Sequence, residues 1–170
     1  MSMPPSPVSW RSLDTPLGPM ILAAGLSSAG PALTGAWFVG QRHFDGPQAH
    51  WHHDEQHPLL REAADQLLAW HAGRRQAFDL PLAPQGSAFQ QRTWQALQRI
   101  AHGDTCSYGE LAAALGQPGA ARAVGSATGR NPLSIFIPCH RLVGRDGTLT
   151  GYAGGLERKR RLLAFEAARR

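Results

Sequence analysis

One heptapeptide constrains this chain more than any other: Ile135-Phe136-Ile137-Pro138-Cys139-His140-Arg141. An apolar, β-type run is closed by a proline, whose fixed φ and missing N–H end a strand and turn the chain. The pattern predicts a strand over the isoleucines and puts Cys139 at the buried end of the turn, with an imidazole beside it and a guanidinium beyond. A thiol is weakly nucleophilic until it ionises, and a neighbouring base or cation lowers its pKa from about 8.5 into the working range. The plainer alternative is a small buried hydrophobe that happens to be cysteine.

The 170 residues, 42% hydrophobic, suit one or two small domains with a buried core. No stretch reaches the roughly 18 uninterrupted apolar residues of a membrane span. No basic segment followed by an apolar run opens the chain as a secretory signal would. Cys106 and Cys139 are the only cysteines, which is no disulfide framework and fits a reducing cytoplasm. Charge is placed unevenly: residues 1–85 carry 5 Lys+Arg against 7 Asp+Glu, residues 86–170 carry 12 against 5. A basic half beside an acidic half is the footprint of a polyanion-binding domain with an appended domain, although a generic solubility charge is also compatible.

In the first half, residues 1–9 are Pro/Ser-rich and read as frayed. Ser9 to Leu13 and Pro19 to Ala24 read as strands joined by the turn Thr15-Pro16-Leu17-Gly18, and Leu33 to Val39 as a third strand with Trp37 and Phe38 on opposite faces. Gly40 to Pro58 reads as loop. Leu59 to His71 is helical, with Leu60, Ala64, Leu67, Leu68 and His71 on one face and Gly73 as the stop. Phe78 to Pro84 reads as an extended linker, which sets the domain boundary near residue 85. His50, His52, His53 and His57, with Asp54 and Glu55, invite a zinc reading, but no cysteine accompanies them and their spacing matches no helical or hairpin site. No metal is therefore assigned.

The second half reads as mostly helical. Ser87 caps a helix over Ala88 to Ala101, with Phe89, Trp94, Leu97 and Ile100 inward and Gly103 as the stop. Ser107 caps Tyr108 to Leu115, Gly116-Gln117-Pro118-Gly119 turns, and Ala120 to Gly129 forms another helix, a helix-turn-helix pattern. The second helix is unusually small-sided, suited to close approach to another surface or to tight helix packing. Leu142-Val143-Gly144 and Thr148-Leu149-Thr150 read as two short strands around the turn Arg145-Asp146-Gly147. Gly151-Tyr152-Ala153-Gly154-Gly155 is a glycine-rich loop without the lysine and serine/threonine ending of a phosphate loop. Leu156 to Ala168 is the last helix, with Glu166 facing inward.

Pro138-Cys139-His140-Arg141, preceded by Asn131-Pro132 and followed by Gly151-Tyr152-Ala153-Gly154-Gly155-Leu156, resembles the O6-alkylguanine-DNA alkyltransferase family. So do Ser107-Tyr108-Gly109-Glu110-Leu111-Ala112 and Ala120-Ala121-Arg122-Ala123-Val124-Gly125, and the likeness runs through about residues 86–168. Thr15-Pro16-Leu17-Gly18-Pro19 and Trp37-Phe38 resemble the bacterial single-chain members. The resemblance implies an α/β protein with an N-terminal domain over 1–85, a small β-sheet plus helix of ribonuclease H-like type. It implies a mostly helical C-terminal domain over 86–170, with a helix-turn-helix, that binds DNA and accepts the alkyl group.

The implied activity is DNA repair: single-turnover, irreversible transfer of a methyl or larger alkyl group from O6 of guanine, and from O4 of thymine, to the protein's own cysteine after base flipping. The implied acceptor is Cys139; His140 takes its proton, Glu166 orients and charges the imidazole, Tyr108 donates to the leaving guanine and Asn131 holds the reactive turn. Gly151, Tyr152 and Ala153 wall the base pocket. Ala153 departs from relatives that carry serine there, which removes a side-chain contact to the base. Arg122 fills the gap left by the extruded base, and Ala121, Ser126, Gln117, Gly109 and Arg145 complete the DNA face. The implied partner is double-stranded DNA with alkylated bases, met through the minor groove, with self-association along DNA allowed. No cofactor and no membrane contact are implied. The N-terminal zinc of some relatives uses cysteines this chain lacks. A lesion-flagging binder would lack Cys139, and a self-methylating regulator would need a further DNA-binding domain. A Cys139–His140 hydrolase fits neither the adjacency of the pair nor the basic surroundings.

Overall fold

The computed structural model describes residues 4–170, so the first three residues of the expected frayed stretch lie outside the described residues. The chain forms two compact units, one of residues up to Gly40 and Phe44–Pro84, the other of Gln41–His43 and Gln85–Arg170.

In the first unit, β1 (Ser9–Thr15), β2 (Gly18–Ser27) and β3 (Gly30–Phe38) form an antiparallel meander. The Thr15–Gly18 turn is closed by the Thr15 hydroxyl, which donates to the Gly18 carbonyl at 2.7 Å. The loop expected over 40–58 contains a further strand, β4 (His52–His53), parallel to β1, so the sheet has four strands in the order β3-β2-β1-β4. Two histidines give no alternation to read, and the strand exists only because β1 offers it an edge.

Helix α1 (Pro58–His71) packs on β1, β2 and β3. Its proline occupies the first turn, where no N–H is needed. Its buried face is Leu60, Ala63, Ala64, Gln66, Leu67 and Trp70. Leu68 is 38% exposed, so the expected stripe is rotated towards Trp70, the larger apolar side chain. Residues 78–84 are no free tether: Leu33 N–H donates to Pro81 O (2.8 Å) and Ala83 N–H to Leu33 O (2.9 Å), fixing the segment along β3.

In the second unit, α2 (Ala88–Leu97) and α3 (Tyr108–Ala114) each begin with a complete capping box, Ser87 with Gln90 and Ser107 with Glu110. Helix α2 stops at Leu97, short of the expected Ala101, and the chain continues as turns to Gly103, whose φ is +87°. Helix α4 (Ala121–Gly129) packs on α2 and α3. Its inner side is Val124, Ala127 and Thr128, and buried Trp94 donates its indole N–H to Ala127 O at 2.9 Å.

Two expectations fail downstream of α4. The 135–137 run is not a strand: Ile135 lies at φ +73° and Ile137 N–H donates to Leu133 O at 2.9 Å, so the segment is a tight buried turn. An apolar run looks the same in a strand and in a fully buried turn. A β-branched residue in the left-handed region costs on the order of 1–3 kcal/mol and persists only where the surroundings over-determine it. Here they do, because Ile135, Phe136 and Ile137 are all buried. The second failure concerns β6 (Leu142–Val143). It pairs in parallel with β5 (Cys106–Ser107), not with 148–150, which close only a turn through Gly144 N–H to Thr148 O. Helix α5 (Leu156–Ala167) ends the fold, entered through Gly155 at φ +94°.

Asn131 is the pin of the reactive segment: its Nδ2 donates to Ile137 O and its Oδ1 accepts from Leu133 N–H, both at 2.9 Å and both buried. Asn131→Ala leaves a buried donor and acceptor unpaired, at about 1–3 kcal/mol each. A loss of unfolding free energy of that size, read as a lower urea midpoint at unchanged m, is expected, whereas an unchanged midpoint would show that the turn holds itself.

Candidate active site

Pro138 ends the buried turn, and residues Cys139–Arg141 form one turn of 3-10 helix. That turn points the three side chains differently. Cys139, 5% exposed, lines a cavity of about 130 Å³. His140 and Arg141 turn inward onto Glu166 of α5.

Glu166 is 1% exposed. His140 Nε2 lies 2.7 Å from Oε1, Arg141 Nε donates to both oxygens at 3.0 and 3.1 Å, and an Arg141 terminal nitrogen also pairs with Oε2. His102, just past α2, brings Nδ1 to 3.1 Å from Oε2. Burial alone would raise the carboxyl, but the His140 and Arg141 hydrogen bonds outweigh it and hold the pKa at about 2. A carboxylate can only accept, so His140 carries its proton on Nε2, and Nδ1 is the basic nitrogen of the neutral ring. Burial lowers the His140 pKa against the pull of Glu166, so the ring rests neutral.

The thiol is also neutral at rest. Burial pushes Cys139 up, while a hydrogen bond from Asn131 and the charge of Lys159 pull the other way. Lys159 is a site residue the sequence reading passed over among its arginine neighbours. It is fully buried, and its ammonium donates to Leu142 O and, at 2.9 Å, to Gly151 O. It also stands 5.9 Å from the centre of the Tyr108 ring. The signal was present, because Lys159 is the only lysine in a chain otherwise basic through arginine. A point charge with rotatable donors suits a site where two carbonyls are to be held under a thiol.

The cavity brings together Cys139, Tyr108 from α3, and Gly151, Tyr152 and Ala153 from the glycine-rich loop. It adds Gly125, Thr128 and Gly129 from α4, and Arg42 with His43. A Cβ at Gly125 would sit 3.6 Å from the Tyr108 ring, an ordinary packing distance, so the phenol packs beside α4. The structure does not bring Arg122, Ala121, Ser126, Gln117, Gly109 or Arg145 into the cavity. Arg122 and Ser126 are exposed on one side of α4, opposite Val124 and Ala127, and Ala121 is half-buried at its start. Gln117, Gly109 and Arg145 are exposed in the turn before α4, the first turn of α3 and the turn after β6. Arg122 makes no hydrogen bond or ion pair among the described residues, so it is not holding a neighbouring carboxylate.

Other expected features have structural partners. Cys106 sits on β5, paired with Leu142, and burial raises its thiol pKa. Of the histidine-rich stretch, His57 accepts from Leu59 N–H as the cap of α1. His53 packs on Trp10 at 4.5 Å and pairs with Glu55.

Comparison with known proteins accords with this geometry. Residues 88–168 match the family model described as 6-O-methylguanine DNA methyltransferase, DNA binding domain. The chain is 45% identical to a methylated-DNA–protein-cysteine methyltransferase of Mycobacterium bovis, covering 95% of this chain and 94% of that one. To the protein of that name in Methanosarcina acetivorans it is 42% identical, over 91% and 96% of the two chains. The crystal structure of Mycobacterium tuberculosis OGT in complex with DNA superposes with a TM-score of 0.85 at 45% identity, covering 95% and 94% of the chains. Likeness of this degree along nearly the whole of both chains places the protein in the methylated-DNA–protein-cysteine methyltransferase family.

Proposed function

We propose that this protein repairs duplex DNA by moving the alkyl group of O6-alkylguanine onto Cys139, once per molecule. The observation that carries the reading is the position of Cys139. It opens into a cavity walled by Tyr108 and Tyr152, while the adjoining imidazole is tied back to a buried carboxylate. In the reaction the Cys139 proton passes to His140, the sulfur forms a bond to the alkyl carbon, and the carbon–O6 bond breaks. The electron pair leaves with the guanine, which takes a proton from Tyr108 and departs neutral. Glu166 stabilises the imidazolium formed in the first step, the logic of an activated nucleophile with an orienting third group. The thioether is the end state, since no group in the cavity is placed to remove the alkyl group.

O6 lies inside the duplex, so the base must be rotated out, at a few kcal/mol of lost stacking and pairing. Helix α3, the turn and α4 act as the helix-turn-helix, with Arg122 entering the vacated space from the minor groove. Ala121, Ser126, Gln117, Gly109 and Arg145 complete the contact. The narrow, degenerate minor groove suits a protein that must inspect every sequence. The same cavity would admit O4-alkylthymine. The four-stranded sheet with α1 is read as the ribonuclease H-like domain, in a cytoplasmic protein able to assemble along DNA.

Incubation with excess O6-methylguanine duplex should add about 14 Da, one methyl, to Cys139 and stop there. Turnover beyond one equivalent, or an adduct elsewhere, would overturn the reading. Arg122→Ala should slow repair of duplex DNA at least about tenfold more than reaction with free O6-benzylguanine, because only the duplex needs flipping. Equal losses would remove Arg122 from that role.

Acid should destabilise the fold. Glu166, held at about 2, contributes stability that is present above its unfolded value of about 4.3 and lost as pH falls towards 2. His140, lowered by burial, acts with the same sign below about 6.5, where the unfolded chain binds the proton first. Urea midpoints should therefore fall steadily from pH 7 to pH 3, and a flat profile would show that the buried cluster titrates otherwise.

A further inference from the structure

The cavity beside Cys139 has one wall that the transfer chemistry does not call for. Gln41, Arg42 and His43 lie nearly a hundred residues upstream of the reactive turn, yet they belong to the same compact unit. The tripeptide is pinned at successive points. Gln41 is buried and accepts from the Ser134 hydroxyl at 3.3 Å, and Arg42 N–H donates to Ala153 O at 3.0 Å. His43 then takes φ +63°, in the left-handed region that histidine enters more readily than most non-glycine residues. Arg42 and His43 line the cavity together with Cys139 and Tyr108.

The Arg42 side chain is exposed and makes no hydrogen bond or ion pair among the described residues. An unpaired arginine on an unconstrained loop would be ordinary surface. Here the backbone under it is fixed, and the residue lines the cavity that holds Cys139. When a nucleotide is extruded, its base enters the pocket while its sugar and flanking phosphates stay outside. A guanidinium answers a phosphodiester in charge and in the fork geometry of its donors.

We propose that Arg42 is a phosphate-binding residue, clamping the phosphodiester next to the extruded nucleotide. This rests on the alkyl-transfer reading and adds to it a contact outside α3 and α4. Arg122 acts on the duplex the base has left; Arg42 acts where the base arrives. Fixing the clamp on a pinned backbone reduces the ordering that binding would otherwise require.

The test uses the full chain, Arg42→Ala and Arg42→Lys, with O6-methylguanine duplex and with free O6-benzylguanine, which has no phosphate. Single-turnover rates and duplex affinities are measured across a salt series. Arg42→Ala should lose about tenfold or more on the duplex beyond any loss on the free base, the size of a lost charge-assisted hydrogen bond. Its log K against log salt slope should be shallower by about 1, one phosphate contact fewer. Arg42→Lys should keep the slope and recover part of the rate. Equal losses on both substrates, no loss on either, or an unchanged slope in Arg42→Ala would overturn the clamp. A wild-type chain that forms no Cys139 adduct with either substrate would instead sink the alkyl-transfer reading beneath it.

Discussion

Glu166 is the constraint on which the reactive half of the molecule rests. A carboxylate removed from water is costly by several kcal/mol unless its lone pairs are taken up by charged donors in good geometry. Both oxygens accept hydrogen bonds, Oε1 from His140 and both from Arg141, and His102 Nδ1 stands 3.1 Å from Oε2. The donors come from the 139–141 turn, while the acceptor belongs to α5. Arg141 also donates to Ile100 O, tying the end of the α2 segment into the same cluster. Deleting the carboxylate would strand the buried Arg141 guanidinium and the His140 N–H, so the cluster fixes where α5 meets the 139–141 turn and therefore where the thiol faces.

The same arrangement separates resting from reacting states. Burial keeps the Cys139 thiol and the His140 ring neutral, which makes the site inert towards passing electrophiles. On the proposed transfer, Glu166 already faces the ring that would take the proton, and Lys159 and Asn131 offset part of the burial cost of the thiolate. These groups are fixed before the reaction, so little reorganisation is required when the charge forms.

What the sequence disclosed depended on whether the physics was local. Capping is local: Ser87 with Gln90 and Ser107 with Glu110 were legible as helix starts, and both boxes are complete. The turn at Thr15–Gly18 was legible for the same reason. The 135–137 strand was not, because a left-handed Ile135 is enforced by Asn131 and by burial, neither of which the run itself records. The expected 142–150 hairpin lost to a partner nearly forty residues upstream, Cys106–Ser107. The family resemblance singled out Cys139, Tyr108 and the glycine-rich loop, which line one cavity, and His140 and Glu166, which pair behind it. It did not give Lys159, concealed in an arginine run, or His102.

Arg42 shows why such residues escape a reading of motifs. Residues 41–43 have no periodicity, no cap and no spacing relation to the Cys139 turn. Their placement comes from Gln41 and Ser134, and from one backbone hydrogen bond to Ala153. Ala153 is also the position where some relatives carry serine, so the loop here meets the cavity with a methyl side chain while its carbonyl is engaged by Arg42. The glycine-rich loop is thus held on two sides, by Lys159 at Gly151 and by Arg42 at Ala153. Backbone groups held in this way can present fixed donors to a planar base, whereas glycines left free would first have to be ordered at an entropic cost. Rigidity in that loop therefore comes from two side branches of the fold, the Lys159 ammonium at Gly151 and the Arg42 backbone at Ala153.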